Sequence, residues 1–226
     1  MKKIGLVGGI SWTSTVDYYR LINEGVNRRL GGLQSAECII YSLNFGTIQE
    51  QTWENSYDLL LRACTTLKQS GIDGIALCAN TAHLFIDQLA HAIQLPFIHI
   101  GEATALSVKN KGLKQIGLLG TKFTMEMDFY RKKLEEYGLE VIIPVSQASR
   151  DYIQHTVKEE LGRGIINQDT RYNYISIMNE LWHDGAEGII LGCTEIPLLI
   201  KQVDFSLPLF DTTRIHSEAI IDFILS

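Results

Sequence analysis

The chain has 226 residues, 46% of them hydrophobic and 20% charged, with a net charge of −6. That length accommodates one substantial core or two lobes of about 100 residues each. The acidic balance, without a basic cluster, excludes a nucleic-acid surface, and no apolar run approaches the roughly 20 residues of a membrane span.

Met1-Lys2-Lys3-Ile4-Gly5 enters a short strand without the apolar region and cleavage site of a signal peptide, so a cytoplasmic protein is expected. Cys38, Cys64, Cys78 and Cys193 show no CxxC spacing and read as reduced thiols. No His, Cys and carboxylate cluster has zinc-like spacing, so no metal is expected.

Lys3 to Gly9 reads as a buried strand ending in a glycine turn, and Ser11 to Thr15 cap a helix whose apolar face carries Val16, Tyr19, Ile22 and Val26. The G-x-G-x-x-G spacing of a dinucleotide site is absent, and Trp12 would crowd a phosphate path. A turn offering backbone N–H groups to a carboxylate fits better. Ala36 to Leu43 reads as a second strand. Trp53 to Ser70 reads as a helix with apolar Leu59, Leu60, Ala63 and Leu67.

Gly71-Ile72-Asp73-Gly74 turns into the strand Ile75-Ala76-Leu77. The loop Cys78-Ala79-Asn80-Thr81-Ala82-His83 follows, then a helix through Ile93 and a strand Pro96 to Ile100. Short apolar strands alternating with helices predict an α/β fold with mostly parallel sheets flanked by helices.

The pattern then restarts. Gln115 to Thr121 repeats Lys3 to Gly9, and Gly185 to Thr194 repeats Gly71 to Asn80, with offsets that differ by two residues. A period this long implies two copies of one lobe. Two pseudo-symmetric lobes are expected, residues 1–100 with 205–226 and residues 101–204, with the active site in the cleft between them. The segment Phe205 to Ser226 is expected to cross back to the first lobe as a strand, Leu207 to Phe210, and a final helix.

Gly188 to Gly192 is a buried strand that runs into Cys193, and Glu195-Ile196-Pro197 reads as a helix start. Strand ends of parallel sheets bind ligands, and a helix N-terminus favours thiolate over thiol. The bland alternative is a small core hydrophobe. The repeat places Ala79 opposite Cys193, with Asn80 and Thr81 matching Thr194 and Glu195. Asn80, Thr81, Thr121 and Thr194 can hold a carboxylate while Cys193 moves a proton.

The chain resembles the aspartate/glutamate racemase superfamily, in its aspartate racemase branch. The resemblance is carried, in chain order, by Gly8-Gly9-Ile10-Ser11-Trp12, Ser14-Thr15, Tyr18-Tyr19-Arg20, Ile22-Asn23 and Asn80-Thr81-Ala82-His83. It continues with Leu119-Gly120-Thr121, Thr124-Met125, Leu191 to Leu199, Phe210-Asp211-Thr212-Thr213 and His216. The resemblance implies two-base inversion of a small-molecule acidic amino acid by a homodimer, without pyridoxal phosphate or another cofactor. Ser11 falls among the implied substrate-binding residues.

Two departures matter. The family's first catalytic thiol directly precedes Asn-Thr, and that position here is Ala79. Cys78 replaces it only if the loop turns that thiol inward, since alternate strand residues face opposite sides. The loop Asn44 to Gln51 lacks the cation that aspartate-specific members tend to carry, and Arg163 stands where the family has a lysine, with Lys158 a weaker candidate.

Trp12 and Tyr18 are expected to line the cleft floor or the dimer surface, His83 to cap or pack beneath its loop, and His216 to make a structural hydrogen bond. Glu195 is expected to cap a helix, with Cys38 and Cys64 in the core. The alternative activities are a single-thiol decarboxylase of the same superfamily and a non-catalytic binder of amino acids or dicarboxylates.

Overall fold

Ile4–Gly8 (β1) is buried at every position, so both faces of this strand are covered by packed elements. The computed structural model describes all 226 residues. It divides into two units, Met1–Ile100 with Thr213–Ser226, and Gly101–Thr212.

In the first unit β1 is followed by α1 (Trp12–Leu30), β2 (Cys38–Ser42), α2 (Phe45–Gln51) and α3 (Tyr57–Gln69). Next come β3 (Gly74–Leu77), α4 (Ile86–Ile93) and β4 (Phe97–Ile98). The strands form a parallel sheet in the order β2-β1-β3-β4. A 3-10 turn, Thr81–Phe85, connects β3 to α4. The strand expected over Pro96 to Ile100 is only Phe97–Ile98, because the next helix, α5 (Ile100–Asn110), starts at Ile100.

In the second unit the order is β5 (Gln115–Gly120), α6 (Lys122–Glu126), α7 (Asp128–Glu135), β6 (Glu140–Ile142) and α8 (Gln147–Glu159). Then follow α9 (Gln168–His183), β7 (Ile189–Gly192), α10 (Ile196–Leu199) and β8 (Leu209–Asp211). Its parallel sheet has the order β6-β5-β7-β8, the same topology as the first. Gly5 pairs with Ile75 in one sheet and Gly117 with Ile189 in the other, the register that the repeat offsets require.

The final strand corrects the reading of the C-terminal segment. β8 pairs with β7 of the second sheet, so the chain returns to the first unit only with α11 (Thr212–Leu225). Ile190 beside Phe210 buries an apolar pair that a strand on the first sheet would forgo. The helix after β4 is likewise allotted to the second unit from Gly101 onward.

α1 also departs from the sequence reading. Ser11 caps it by accepting from the Ser14 amide. The buried face carries Tyr18, Ile22, Gly25 and Val26, while Trp12, Val16 and Tyr19 are 70%, 56% and 51% exposed. The cause is α11, which packs so close to α1 that a Cβ on Gly25 would lie 2.1 Å from Ile221 Cδ1. Arg28 and Arg29 at the end of α1 pair with Glu218 and Asp222 of α11. Tyr18, Ile22, Val26, Ile220, Ile221 and Ile224 join one apolar core with Ile4 and Leu6.

Candidate active site

β7 ends at Gly192 because the chain there turns into α10, a single turn of four residues with Pro197 near its start. Cys193 occupies this corner at the rim of the second unit's apolar core, 7% exposed. Its Sγ donates to Glu195 Oε2 at 2.8 Å, and Thr194 Oγ1 donates to the same oxygen at 3.0 Å. Glu195 is itself buried.

Burial pushes the Cys193 thiol well above the ordinary cysteine value, and the adjacent Glu195 charge raises it further. Backbone hydrogen bonds at Glu195 and Thr194 act in the opposite direction and are outweighed. The expectation of a thiol lowered by a helix N-terminus is therefore corrected. One four-residue turn contributes too little against burial beside a carboxylate. The expected helix-capping role for Glu195 is corrected as well, since its side chain makes no cap hydrogen bond and instead receives Cys193 and Thr194.

The β3 end is its counterpart in the repeat. Ala79 is buried and carries no titratable atom, and Asn80 and Thr81 are buried beside it. Cys78 lies in the apolar core with Ile4, Leu6, Tyr18 and Ala76, so the loop does not turn this thiol inward. Strand alternation directs it to the packed face, where burial drives the thiol far up. Cys78 is thus placed as core, as are buried Cys64 and half-buried Cys38.

The turns after β1 and β5 carry hydroxyl groups. Ser11 Oγ accepts from Ser14 Oγ at 3.1 Å, while Thr15 Oγ1 accepts from the Gly9 amide and donates to the Ser11 carbonyl, both at 2.9 Å. Thr121 caps α6, and its Oγ1 lies 3.1 Å from Thr124 Oγ1. Both turns carry a hydroxyl three residues after the capping residue, Ser14 after Ser11 and Thr124 after Thr121.

The glycine turn serves packing. Gly9 has φ +81, and a Cβ there would sit 2.1 Å from the Leu43 carbonyl oxygen.

Arg163 is 64% exposed and forms a 2.5 Å ion pair with Glu159. Lys158 is also exposed and near Glu159. Tyr18 is fully buried, which corrects its placement on a cleft floor or dimer surface, and its OH donates to His216 Nδ1 at 2.9 Å. His216 Nε2 donates to the Ile98 carbonyl at 2.8 Å, the structural bond expected of this residue. No cluster of His, Cys, Asp and Glu with metal-holding geometry occurs in the chain.

A family model for Asp/Glu/Hydantoin racemases matches residues 7–220. The broad specificity amino-acid racemase RacX of Bacillus subtilis is 25% identical over 174 residues, covering 74% of this chain and 71% of its own. A glutamate racemase of Aquifex pyrophilus is 27% identical over 61% of this chain, which spans only 52% of that relative.

Among solved structures, an aspartate racemase homologue from Pyrococcus horikoshii is 36% identical with a TM-score of 0.86, covering 100% of both chains. A candidate Asp/Glu racemase from Yersinia pestis is 44% identical with a TM-score of 0.92, also over 100% of both. The duplicated sheet topology, the thiol at the end of β7 and a family match running from β1 into α11 lead to one conclusion: the chain belongs to the Asp/Glu/hydantoin racemase family.

Proposed function

We propose that the chain is a cofactor-independent amino-acid racemase acting on aspartate and glutamate, with Cys193 as one acid/base. The observation that carries this reading is the buried thiol–carboxylate pair, Cys193 Sγ to Glu195 Oε2 at 2.8 Å. In the resting pair the thiol holds the proton and is ready to reprotonate a carbanion. When the proton passes to Glu195, the sulfur becomes the base that removes the Cα proton. Asn80, Thr81, Thr121 and Thr194 supply amide and hydroxyl groups to the substrate carboxylate, where negative charge develops.

Arg163 is occupied by Glu159, so it offers a weakened claim on an acidic side chain. The substrate panel therefore includes neutral amino acids beside aspartate and glutamate. We also infer the homodimer that the resemblance implies; the exposed stripe Trp12, Val16 and Tyr19 supports it.

Ala79 favours a second reading. A site with one thiol has what it needs to protonate a carbanion left by loss of carbon dioxide, a reaction in which only one face is protonated. Solvent deuterium separates the readings. A racemase exchanges Cα–H in the intact amino acid, a decarboxylase incorporates deuterium only with loss of carbon dioxide, and a binder shows ligand-dependent melting alone.

A further inference from the structure

The end of β3 is held by an imidazole that the chemistry above does not use. His83, on the 3-10 turn after β3, is 1% exposed. Its Nδ1 lies 2.9 Å from the Ala79 carbonyl oxygen. A carbonyl only accepts, so Nδ1 carries the proton. Nε2 is then a lone pair, and the Ile100 amide donates to it at 3.2 Å. One ring joins the residue at the family's thiol position to the amide at which the chain leaves the first unit.

Only the neutral ring does both, since a proton on Nε2 would face the Ile100 N–H. The titratable groups around it are His99, with ring centroids 4.8 Å apart, and His216 of α11 at 5.9 Å, backed by Tyr18 of α1. Burial and these neighbours hold His83 well below the ordinary histidine value.

The Ala79–Asn80 peptide translates this bond into direction. In a trans peptide the C=O and N–H point opposite ways, so drawing the Ala79 carbonyl toward His83 aims the Asn80 N–H away from the ring. We infer that His83 is a positioning residue: its neutral imidazole fixes the Ala79 carbonyl, and with it the amide and hydroxyl groups of Asn80 and Thr81, in the geometry that receives the substrate carboxylate. The inference rests on the racemase reading above.

The test combines racemisation kinetics with amide hydrogen exchange over residues 79–82, on the full chain. His83→Ala is expected to raise KM by about tenfold or more, with a smaller change in kcat, because a small misplacement of binding groups is costly. It should also speed amide exchange in that segment. His83→Asn returns an N–H near the Nδ1 position and is expected to recover KM to within about threefold of wild type. If His83→Ala does not fold, His83→Gln, which keeps an acceptor for Ile100 but loses the Ala79 bond, carries the same KM test. Tyr18→Phe, which leaves both His83 bonds in place, should lower Tm while leaving KM and kcat unchanged.

Unchanged KM and exchange in His83→Ala or His83→Gln would overturn the inference. So would His83→Asn no better than His83→Ala, or Tyr18→Phe moving KM as far as the His83 variants. If the wild type turns over no amino acid, the racemase reading fails. The exchange arm still decides the clamp, with unchanged protection in the variants refuting it.

Discussion

Cys193 and Glu195, two positions apart in sequence, form a buried thiol–carboxylate hydrogen bond of 2.8 Å at the end of β7. Burial and the Glu195 charge both favour the protonated thiol. In the proposed reaction the same carboxylate, 2.8 Å from the sulfur, accepts the proton that the thiol loses to act as a base. Glu195 therefore stabilises one form of the thiol and gives access to the other.

Glu195→Gln separates these effects. The amide keeps the volume and an acceptor oxygen but removes the charge, so the Cys193 thiol should titrate at lower pH than in wild type. Thiolate ultraviolet absorbance, with Cys193→Ala as the blank, reads that shift. Turnover should fall by about 10²–10⁴-fold, the range of a lost general acid–base group. A titration that moves upward would mean that the carboxylate does not raise the thiol.

Much of the architecture was legible in the sequence. The repeat of Lys3 to Gly9 at Gln115 to Thr121 prefigured two sheets of identical strand order, because buried parallel strands are continuous apolar runs between glycines. The allotment of the last strand and helix was not legible. Leu209 and Phe210 are apolar enough for either sheet, and only pairing with Ile189 and Ile190 decides.

The buried face of α1 was not legible, because Val16 and Tyr19 have the helical spacing of a core face yet lie exposed, while Tyr18 is buried against His216. The position of Cys193 just past the end of β7 was legible. Its hydrogen bond to Glu195 was not, because Glu195-Ile196-Pro197 is also the pattern of a helix start.

Ala79 is the next test. By the repeat it matches Cys193, and the proposed two-base inversion has no side-chain acid or base there. Ala79→Cys should raise racemisation by a factor of up to about 10²–10⁴. Cys78→Ala should leave turnover near wild type and lower stability modestly, because Cys78 is packed in the core. Circular dichroism of L- and D-aspartate and glutamate reads both variants. Loss of activity in Cys78→Ala would return that thiol to the chemistry.

The buried histidines make stability depend on pH. Burial holds His216 down to about 4, against about 6.5 in an unfolded chain. The unfolded chain binds the extra proton between those values, so stability is full above about 6.5 and falls as pH drops toward about 4. The loss from this residue is roughly 3 kcal/mol. His83 acts in the same direction. Urea denaturation across that window should show a shallower loss in His216→Gln than in wild type; equal slopes would contradict the neutral, buried assignment.

Gly9 tests the turn after β1. An added Cβ would collide with the Leu43 carbonyl, and φ +81 disfavours any side chain. Gly9→Ala should cost roughly 2–4 kcal/mol of stability from strain and overpacking together. Denaturation within about 0.5 kcal/mol of wild type would show that the loop yields easily.

The central claim is that Cys193 moves the Cα proton. Aspartate and glutamate incubated in deuterated solvent with wild-type protein should gain Cα deuterium without loss of carbon dioxide, and Cys193→Ala, folded by circular dichroism, should give none. Deuterium entering at the wild-type rate in Cys193→Ala would contradict the account, because the proton would then be carried by another group.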